Sequence, residues 1–337
     1  MPERPRLTPE VADTRRVVRD SVADLLHGEL VLVACSGGAD SMALAAAAGF
    51  EQSRKGSAGI RVGGVIVEHG LQEATKQIAA ETKAKLEALG LSPVVIETVK
   101  VASGSNVEAN ARAARYAAIQ KVATELDAKA VLLGHTLDDQ AETVLLGLAR
   151  GSGARSISGM RTINGIYRRP FLAIRRSQTE KACEAQGIDF WNDPHNQDDS
   201  YTRVRVRKNI LPILETQLGP GIAEALARTA DQAAEDEALL THQAKGLTDL
   251  LLKKSATSVS FQIADLRQPM ALRHRMILQA FEIMEAPPVS RIHVLAIDDL
   301  IDDWHGQKPL TLPSVRVERI ERELVFKLTK TLKPGAC

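Results

Sequence analysis

The sequence has few cysteines, no long apolar run and almost no net charge, and each absence excludes a class of protein. Its cysteines, Cys35, Cys183 and Cys337, are isolated and form no C-x-x-C pair. A structural zinc site, an iron–sulfur cluster and a disulfide framework are therefore not expected, whereas a reducing compartment is. The longest apolar stretch, residues 42–50, is much shorter than a membrane span.

The formal net charge of +1 indicates no particular partner, but the charge is unevenly distributed. Residues 1–10 are charged and proline-rich, so we expect no signal peptide and predict a cytoplasmic protein that does not bind membranes. A basic segment at residues 150–181 has eight basic side chains and one acid, Glu180. Its basic residues are Arg150, Arg155, Arg161, Arg168, Arg169, Arg175, Arg176 and Lys181. Such a segment suits a polyanion, although a solvated basic face is the commoner explanation.

Apolar strand-like runs alternate with helical segments through the first half of the chain. Strands are predicted at residues 30–34, 62–67, 93–99 and 129–133, and the helices that follow them at about 39–50, 73–89, 106–126 and 137–149. This alternation predicts an α/β fold with a doubly wound, mostly parallel sheet. A mainly helical C-terminal region follows, with a terminal hairpin at 314–328. We expect two domains, residues 1–215 and 216–337.

A glycine-rich turn follows the first predicted strand. It consists of Ser36, Gly37, Gly38, Ala39, Asp40 and Ser41. Glycines let backbone N–H groups approach an anion, and the N-terminus of the next helix adds partial positive charge, so the turn suits a phosphate. It lacks both a Gly-Lys-Ser/Thr ending and the G-x-G-x-x-G pattern, so neither the usual nucleoside triphosphate loop nor a dinucleotide fold is indicated. An ordinary turn between strand and helix is the alternative.

The segment Gly134–Thr143 follows the fourth predicted strand and opens a helix at the same predicted sheet edge. Asp139 and Glu142 are three residues apart and share a helix face. Paired carboxylates there could bind magnesium, hold a substrate ammonium group or accept a proton. Helix capping by Thr136 and Asp139 explains the acids equally well, and His135 alone would more often be structural.

The helix predicted at 106–126 carries Arg112 and Arg115 on one face. A pair of guanidinium groups at this spacing could bind a phosphate. The alternative is a surface ion pair between Arg112 and Glu108, four residues earlier.

Taken together and in this order, the motifs resemble the N-type ATP pyrophosphatase (PP-loop) superfamily and, within it, the tRNA(Ile)-lysidine synthase family. The resemblance covers about residues 30–215. Besides the two segments above, the matching stretches are His69–Leu71, Glu108–Tyr116, Arg150–Gly153, Ser158–Met160, Arg169–Pro170, Trp191–Pro194 and Arg203–Arg207.

This resemblance implies that ATP adenylates the carbon-2 oxygen of the wobble cytidine in tRNA(Ile) with a CAU anticodon. The ε-amino group of free L-lysine then displaces AMP. The implied cofactors are ATP and Mg²⁺, with residues 36–41 as the nucleotide loop and Asp40 and Asp139 as magnesium ligands. Asp40, Asp139 and Glu142 are candidates for the magnesium, lysine and proton-handling roles. His135, Arg112 and Arg205 are candidates for contacts with the nucleotide and the adenylated intermediate. A homodimer is also expected as one oligomeric state, without an assigned interface.

The chain departs from the family pattern at four positions. Gln72 replaces an arginine, Thr136 replaces the second histidine of Gly-His-His, Glu68 replaces a frequent aspartate, and Val204 replaces an asparagine. Because of the last departure, Arg203 and Arg207 become as plausible as Arg205 for the phosphate contact. Two alternatives stay open. A tRNA thiolase of the same superfamily generally needs cysteines, and a non-catalytic RNA-binding relative would not need the retained acids.

Overall fold

The computed structural model describes residues 7–54, 56, 59–68, 73–99, 107–151, 153–193 and 198–329, without the side chains of 73–74 and 107–109. The predictions at His69–Leu71, Gln72, Ser152, Pro194 and Cys337 lie outside these residues, as does the side chain of Glu108. The chain divides into two compact units, Met1–Asp231 and Gln232–Cys337. The domain boundary after residue 215 stays a prediction.

The first half of the first unit alternates strands and helices, as predicted. Its elements are α1 Pro9–Ser21, β1 Leu30–Ala34, α2 Ala39–Ser53, β2 Arg61–Glu68, α3 Glu73–Ala88, β3 Val94–Thr98, α4 Val107–Glu125, β4 Ala130–Leu133 and α5 Leu137–Arg150. The helix α1 begins at Pro9 after the capping residue Thr8 and was not predicted from the sequence.

Shorter elements complete the first unit. They are α6 Ala154–Ile157, β5 Ile163–Asn164, β6 Tyr167–Arg168, a 3₁₀ turn at Pro170–Ala173, α7 Arg176–Glu184, α8 Thr202–Arg205, a π-helix at Val206–Ile210, α9 Leu211–Gln217 and the start of α10 Ile222–Leu251. The run from Thr202 to Gln217 is therefore helical throughout, with a π segment inside it.

Six strands of the described chain form one sheet in the order β3-β2-β1-β4-β6-β5. All neighbouring pairs are parallel except β5 with β6. The strand order reverses between β1 and β4, and ligands of open α/β sheets bind at the carboxyl ends of the strands beside such a switch point. The turn that begins at Ser36 and the segment that begins at Gly134 leave the sheet at this place.

Both faces of the sheet are covered by apolar side chains, which explains why its strands read as continuous apolar runs. Alternate residues of β1 point to opposite sides: Val31 and Val33 pack with α2, while Leu30 and Leu32 pack with α4. These two cores hold the carboxyl ends of β1 and β4 in fixed positions. The doubly wound, mostly parallel sheet is confirmed.

The second unit combines helices with an antiparallel sheet. Besides the end of α10, its elements are β7 Lys253–Lys254, β8 Ser258–Gln262, α11 Met270–Ile283, α12 Arg291–Asp302, β9 Leu310–Leu312, β10 Val315–Ile320 and β11 Glu323–Leu328. In its described residues the strand order is β7-β8-β11-β10-β9. The predicted hairpin is confirmed as β10 and β11. The strands β7, β8 and β9 were not predicted, and they enlarge this hairpin to a five-stranded sheet. No helix in the described part of the chain is long and apolar enough to span a membrane.

Candidate active site

The turn at residues 36–41 is held in one conformation by its own hydrogen bonds. Ser41 Oγ donates to the Gly38 carbonyl at 2.9 Å and accepts from the Ser36 backbone N–H at 3.2 Å. Gly37 has a φ of +84°, and a Cβ there would lie 2.7 Å from Thr82 Oγ1, so the position requires glycine. Gly38 caps α2 without a side-chain hydrogen bond. The first N–H groups of α2 can therefore bind an anion.

Gly134 brings the end of β4 close to the first turn of α2. A Cβ at Gly134 would lie 3.1 Å from the Asp40 carbonyl carbon and oxygen. Thr136 then caps α5: its hydroxyl accepts from the Asp139 N–H at 3.4 Å, and Asp139 Oδ2 accepts from the Thr136 N–H at 2.9 Å. The capping explanation of Asp139 is therefore correct, but it uses only one of the two carboxylate oxygens for the backbone.

The other oxygen of Asp139 belongs to a cluster of acids and arginines beside the turn. Arg176, at the start of α7, links two acids: its Nε lies 3.1 Å from Asp40 Oδ2, and its Nη2 lies 3.0 Å from Asp139 Oδ1. Arg207, in the π-helix, lies 3.2 Å from Asp139 Oδ1. The same guanidinium binds Glu142 in a bidentate manner, at 2.6 Å and 3.1 Å. The structure thus joins three of the predicted residues, Asp40, Asp139 and Glu142.

Burial and the arginines act in opposite directions on these acids. Burial raises the pKa of Glu142, whose side chain is 0% exposed, although Arg207 opposes the rise. Burial also raises the pKa of Asp40 against the pull of Arg176. Asp139 is buried too, but Arg176 and the Thr136 N–H outweigh the burial and lower its pKa. The cluster therefore holds one strongly ionised carboxylate beside two that accept protons more readily than usual.

Comparisons with known proteins identify the families that this chain matches. Residues 12–214 match the PP-loop domain family, and residues 261–321 match the TilS substrate binding domain. A tRNA(Ile)-lysidine synthase of Leifsonia xyli is 49% identical over 90% of this chain and 91% of its own length. The chain belongs to the tRNA(Ile)-lysidine synthase family. Family members from Thermobifida fusca and Streptomyces coelicolor are 46% and 48% identical, over 91% and 86% of this chain and 94% and 82% of their own lengths.

A solved structure with the same fold is more distant. It is the U34-tRNA thiolase NcsA from Methanococcus maripaludis with its [4Fe-4S] cluster, and it superposes with a TM-score of 0.54 at 18% identity. The superposition covers 67% of this chain and 80% of that one. At this identity the likeness shows a shared fold. Membership of the lysidine synthase family rests on the sequence relatives.

Arg205 is a predicted site residue that the structure does not bring to the acids. Its side chain is exposed, and it donates to the carbonyls of Asp199 and Ser200, at 2.8 Å each. Arg203 and Arg207 lie on the side of the helical run that faces Glu142, with Arg203 Nε 3.6 Å from Glu142 Oε2. The preference for Arg205 is therefore not supported by the geometry, whereas the alternatives Arg203 and Arg207 are.

Arg112 and His135 are likewise outside the acid cluster. Arg112 is exposed and its Nη2 contacts the Tyr116 hydroxyl at 3.3 Å. His135 lies two residues after β4, and its Nδ1 is buried without a hydrogen-bond partner among the described residues. Burial lowers the pKa of His135, and the nearby Arg169, Arg115 and Arg112 lower it further, against the attraction of Asp139. His135 is therefore a neutral imidazole at physiological pH.

The basic segment at residues 150–181 is divided between the interior and the surface. Its buried or half-buried members Arg168, Arg169, Arg175 and Arg176 are directed into the protein. Arg175, for example, pairs with Asp138, Glu215 and Glu224. Arg150, Arg155, Arg161 and Lys181 are exposed. The surface available to a polyanion is therefore about half of what the sequence indicated.

Proposed function

We propose that this protein joins the ε-amino group of lysine to carbon 2 of the wobble cytidine of tRNA(Ile) with a CAU anticodon. In the first step the carbon-2 oxygen attacks the α-phosphorus of ATP and pyrophosphate leaves. In the second step the amine attacks carbon 2, the carbon–oxygen bond breaks, AMP leaves with the oxygen, and the nitrogen loses a proton. One observation carries this proposal: a single guanidinium, Arg176, joins Asp40 of the phosphate-binding turn to Asp139 of α5.

The two halves of the cluster suit the two steps. The turn at residues 36–41 offers uncapped backbone N–H groups to the departing pyrophosphate. Asp139 and Glu142 offer carboxylates to the lysine ammonium, and the raised pKa of Glu142 makes it the better proton acceptor of the two. Both carboxylates accept from Arg207 in the structure. Lysine binding is therefore an exchange, in which an ammonium group replaces a guanidinium.

Magnesium binding by Asp40 and Asp139 stays a prediction that this arrangement does not favour. The Arg176 guanidinium occupies the space between the two carboxylates. Their other oxygens accept from Thr179 and Thr136. Among the residues that the structure describes, no group of three potential ligands could hold a metal ion. We therefore derive no step through a metal ion at this pair.

A lysine-dependence assay tests the proposal. We expect release of AMP and pyrophosphate only when ATP, lysine and tRNA(Ile) with a CAU anticodon are all present, together with incorporation of labelled lysine into the tRNA. Equal turnover without lysine would contradict the proposal and favour a thiolase-type activation of the base. ATP and tRNA binding without any turnover would favour the non-catalytic RNA-binding alternative.

The pH dependence of lysine use reports on Glu142. Because its pKa is raised, Glu142 becomes protonated at a higher pH than an ordinary glutamate as the pH falls, so kcat/KM for lysine should decline from a pH above 4.5. Arg203→Ala removes a positive charge 3.6 Å from Glu142 and should therefore move this decline to higher pH. Rate measurements at constant ionic strength test the shift. Arg205→Ala on the same helical run is the control, and an equal shift in both variants would exclude Glu142 as the titrating group.

The exposed half of the basic segment is proposed to contact tRNA phosphates. Replacing Arg150, Arg155 and Arg161 by alanine should reduce the slope of log affinity against log salt by about 0.7 to 0.9 for each phosphate that is no longer bound. Filter binding at several salt concentrations measures the slope. Arg16→Ala is a control, because Arg16 is an exposed arginine of α1 that pairs with Asp13. If the triple variant and the control give the same slope as the unmodified protein, this segment is only a solvated face.

We further place the protein in the cytoplasm, where tRNA, ATP and free lysine are available together. The family membership and the absence of a membrane-spanning helix among the described residues support this placement. A homodimer stays a prediction.

A further inference from the structure

Arg169 is a buried arginine whose described contacts are with neutral groups. It follows β6, and only 6% of its surface is exposed. Its Nη1 donates to the Arg161 carbonyl at 2.9 Å and its Nη2 to the Tyr116 hydroxyl at 3.4 Å, while Nε has no partner. No carboxylate of the described side chains pairs with it. A charged guanidinium buried in this way is costly, because neither water nor an opposite charge compensates it.

The other internal arginines of the same segment show how unusual this is. Arg168, immediately before it, is 7% exposed and binds Asp24 through two nitrogens. Arg175 and Arg176 each pair with two or more acids. Arg169, by contrast, pairs with no acid among the described side chains, so its charge is available to an external anion.

Further positive groups gather around the same tyrosine. Arg112 Nη2 donates to the Tyr116 hydroxyl at 3.3 Å, so the guanidinium groups of Arg112 and Arg169 converge on one phenol oxygen. A phosphate can bridge two such groups, because its oxygens accept from guanidinium nitrogens on different sides. Arg115 lies one residue before Tyr116, and burial and the charge of Arg112 lower its pKa.

His135 lies near the same three arginines. After burial, the charges of Arg169, Arg115 and Arg112 are what lower the pKa of His135. Asp139 acts in the opposite direction, but its carboxylate is already bound by Arg176 and Arg207. The three arginine charges by themselves favour an anion beside His135.

We propose that Arg169, together with Arg112 and Arg115, forms a binding pocket for a phosphate group beside the β4–β6 side of the sheet edge. This inference rests on the proposed function, which supplies two sources of such a group: the nucleotide and the RNA backbone. Arg169 is then a further substrate-binding residue, placed by β6 rather than by the turn at residues 36–41.

Arg169→Met and Arg168→Met are a matched pair, because each removes one buried guanidinium and the two residues are adjacent in the sequence. Arg168→Met should lower the thermal unfolding midpoint, since Asp24 and the Ser21 carbonyl lose their partner, and should leave ligand affinity unchanged. Arg169→Met should leave the midpoint of the ligand-free protein unchanged or raise it. Arg169→Met should also weaken the binding of one of two probes by at least about 10-fold. The probes are ATP, measured without tRNA, and tRNA, measured without ATP.

The two binding measurements identify the source of the phosphate. A loss for ATP alone assigns the pocket to the nucleotide, and a loss for tRNA alone assigns it to the RNA backbone. Wild-type affinity for both, with a midpoint lowered as in Arg168→Met, would overturn the inference and make Arg169 structural. If Arg169→Met does not fold, Arg112→Ala gives the answer, because Arg112 is exposed: it should weaken binding of one of the same two probes, and unchanged binding of both overturns the inference.

The same measurements separate this inference from the proposed function. Should the unmodified protein form no lysine-dependent product, the proposed function fails. A weaker binding of ATP or tRNA by Arg169→Met would still establish the phosphate pocket in that case. Conversely, lysine-dependent product with unchanged binding in both variants would leave the proposed function intact and remove the pocket.

Discussion

Asp139→Asn is expected to lower the rate of lysidine formation by about 100-fold to 1,000-fold, or about 3 to 4 kcal/mol of transition-state stabilisation. Asp139 is the acid that touches both Arg176 and Arg207, and its lowered pKa keeps it ionised throughout the working range. The asparagine keeps the shape and the hydrogen bond that caps α5 but removes the charge. Single-turnover formation of labelled lysine–tRNA measures the effect, and tRNA affinity should stay within about twofold.

Asp138→Asn is the matched control for this variant. Asp138 is the neighbouring residue of the same helix, but its carboxylate accepts from Arg175 and from the Arg176 backbone N–H, away from Glu142 and Asp40. It should change stability modestly and leave the rate within a few-fold. If Asp139→Asn loses tRNA binding together with activity, Asp139 is a structural residue. If both variants lose activity equally, the charge of the helix N-terminus explains the effect.

Arg207→Ala is the second variant with a large expected effect, and Arg205→Ala is its control. Glu142 is fully buried and loses its bidentate partner in Arg207→Ala, with only Arg203 left at 3.6 Å. We expect a loss of about 2 to 3 kcal/mol in the free energy of unfolding, because a buried charge becomes poorly compensated. The pKa of Glu142 should rise further, because its bidentate partner is gone. We expect the weaker negative charge of Glu142 to outweigh the removal of Arg207 as a competitor of lysine, so kcat/KM for lysine should fall by about 100-fold or more.

Arg205→Ala should change neither property by more than a small factor, because Arg205 is exposed and contacts backbone carbonyls of Asp199 and Ser200. Urea unfolding and lysine titration distinguish the two variants. The opposite ranking, with Arg205→Ala inactive and Arg207→Ala normal, would support the role of Arg205 that the family resemblance implies.

Local patterns were sufficient to predict the sheet and the two segments that leave its carboxyl edge. Apolar runs mark β1 and β4, and the glycine-rich turn after β1 and Gly134 after β4 mark the points where the chain leaves the sheet. The meeting of Asp40 with Asp139 then follows from the parallel order of the strands. The α1 helix carried a recognisable start signal in Thr8 and Pro9, and β8 an alternation of polar and apolar residues, so both could have been found.

The partners of the arginines could not be predicted in the same way. Arg168 and Arg169 are adjacent, and Arg175 and Arg176 are adjacent, yet each member of a pair points to a different group. Which acid an arginine meets depends on how loops and helices far apart in sequence pack. The choice between Arg205 and Arg207 depends on the direction in which a helical run with a π segment presents its side chains.

The acid cluster beside the turn is formally electroneutral: Asp40, Asp139 and Glu142 face Arg176, Arg203 and Arg207. A cationic amino acid approaching this place meets no long-range field that would draw it in. Its capture then depends on short-range replacement of one donor by another, and added electrolyte should hardly affect it. The two substrates would thus differ in the range of the attraction that the protein exerts on them. The nucleic acid would be attracted over a long distance, whereas the amino acid would be recognised only on contact.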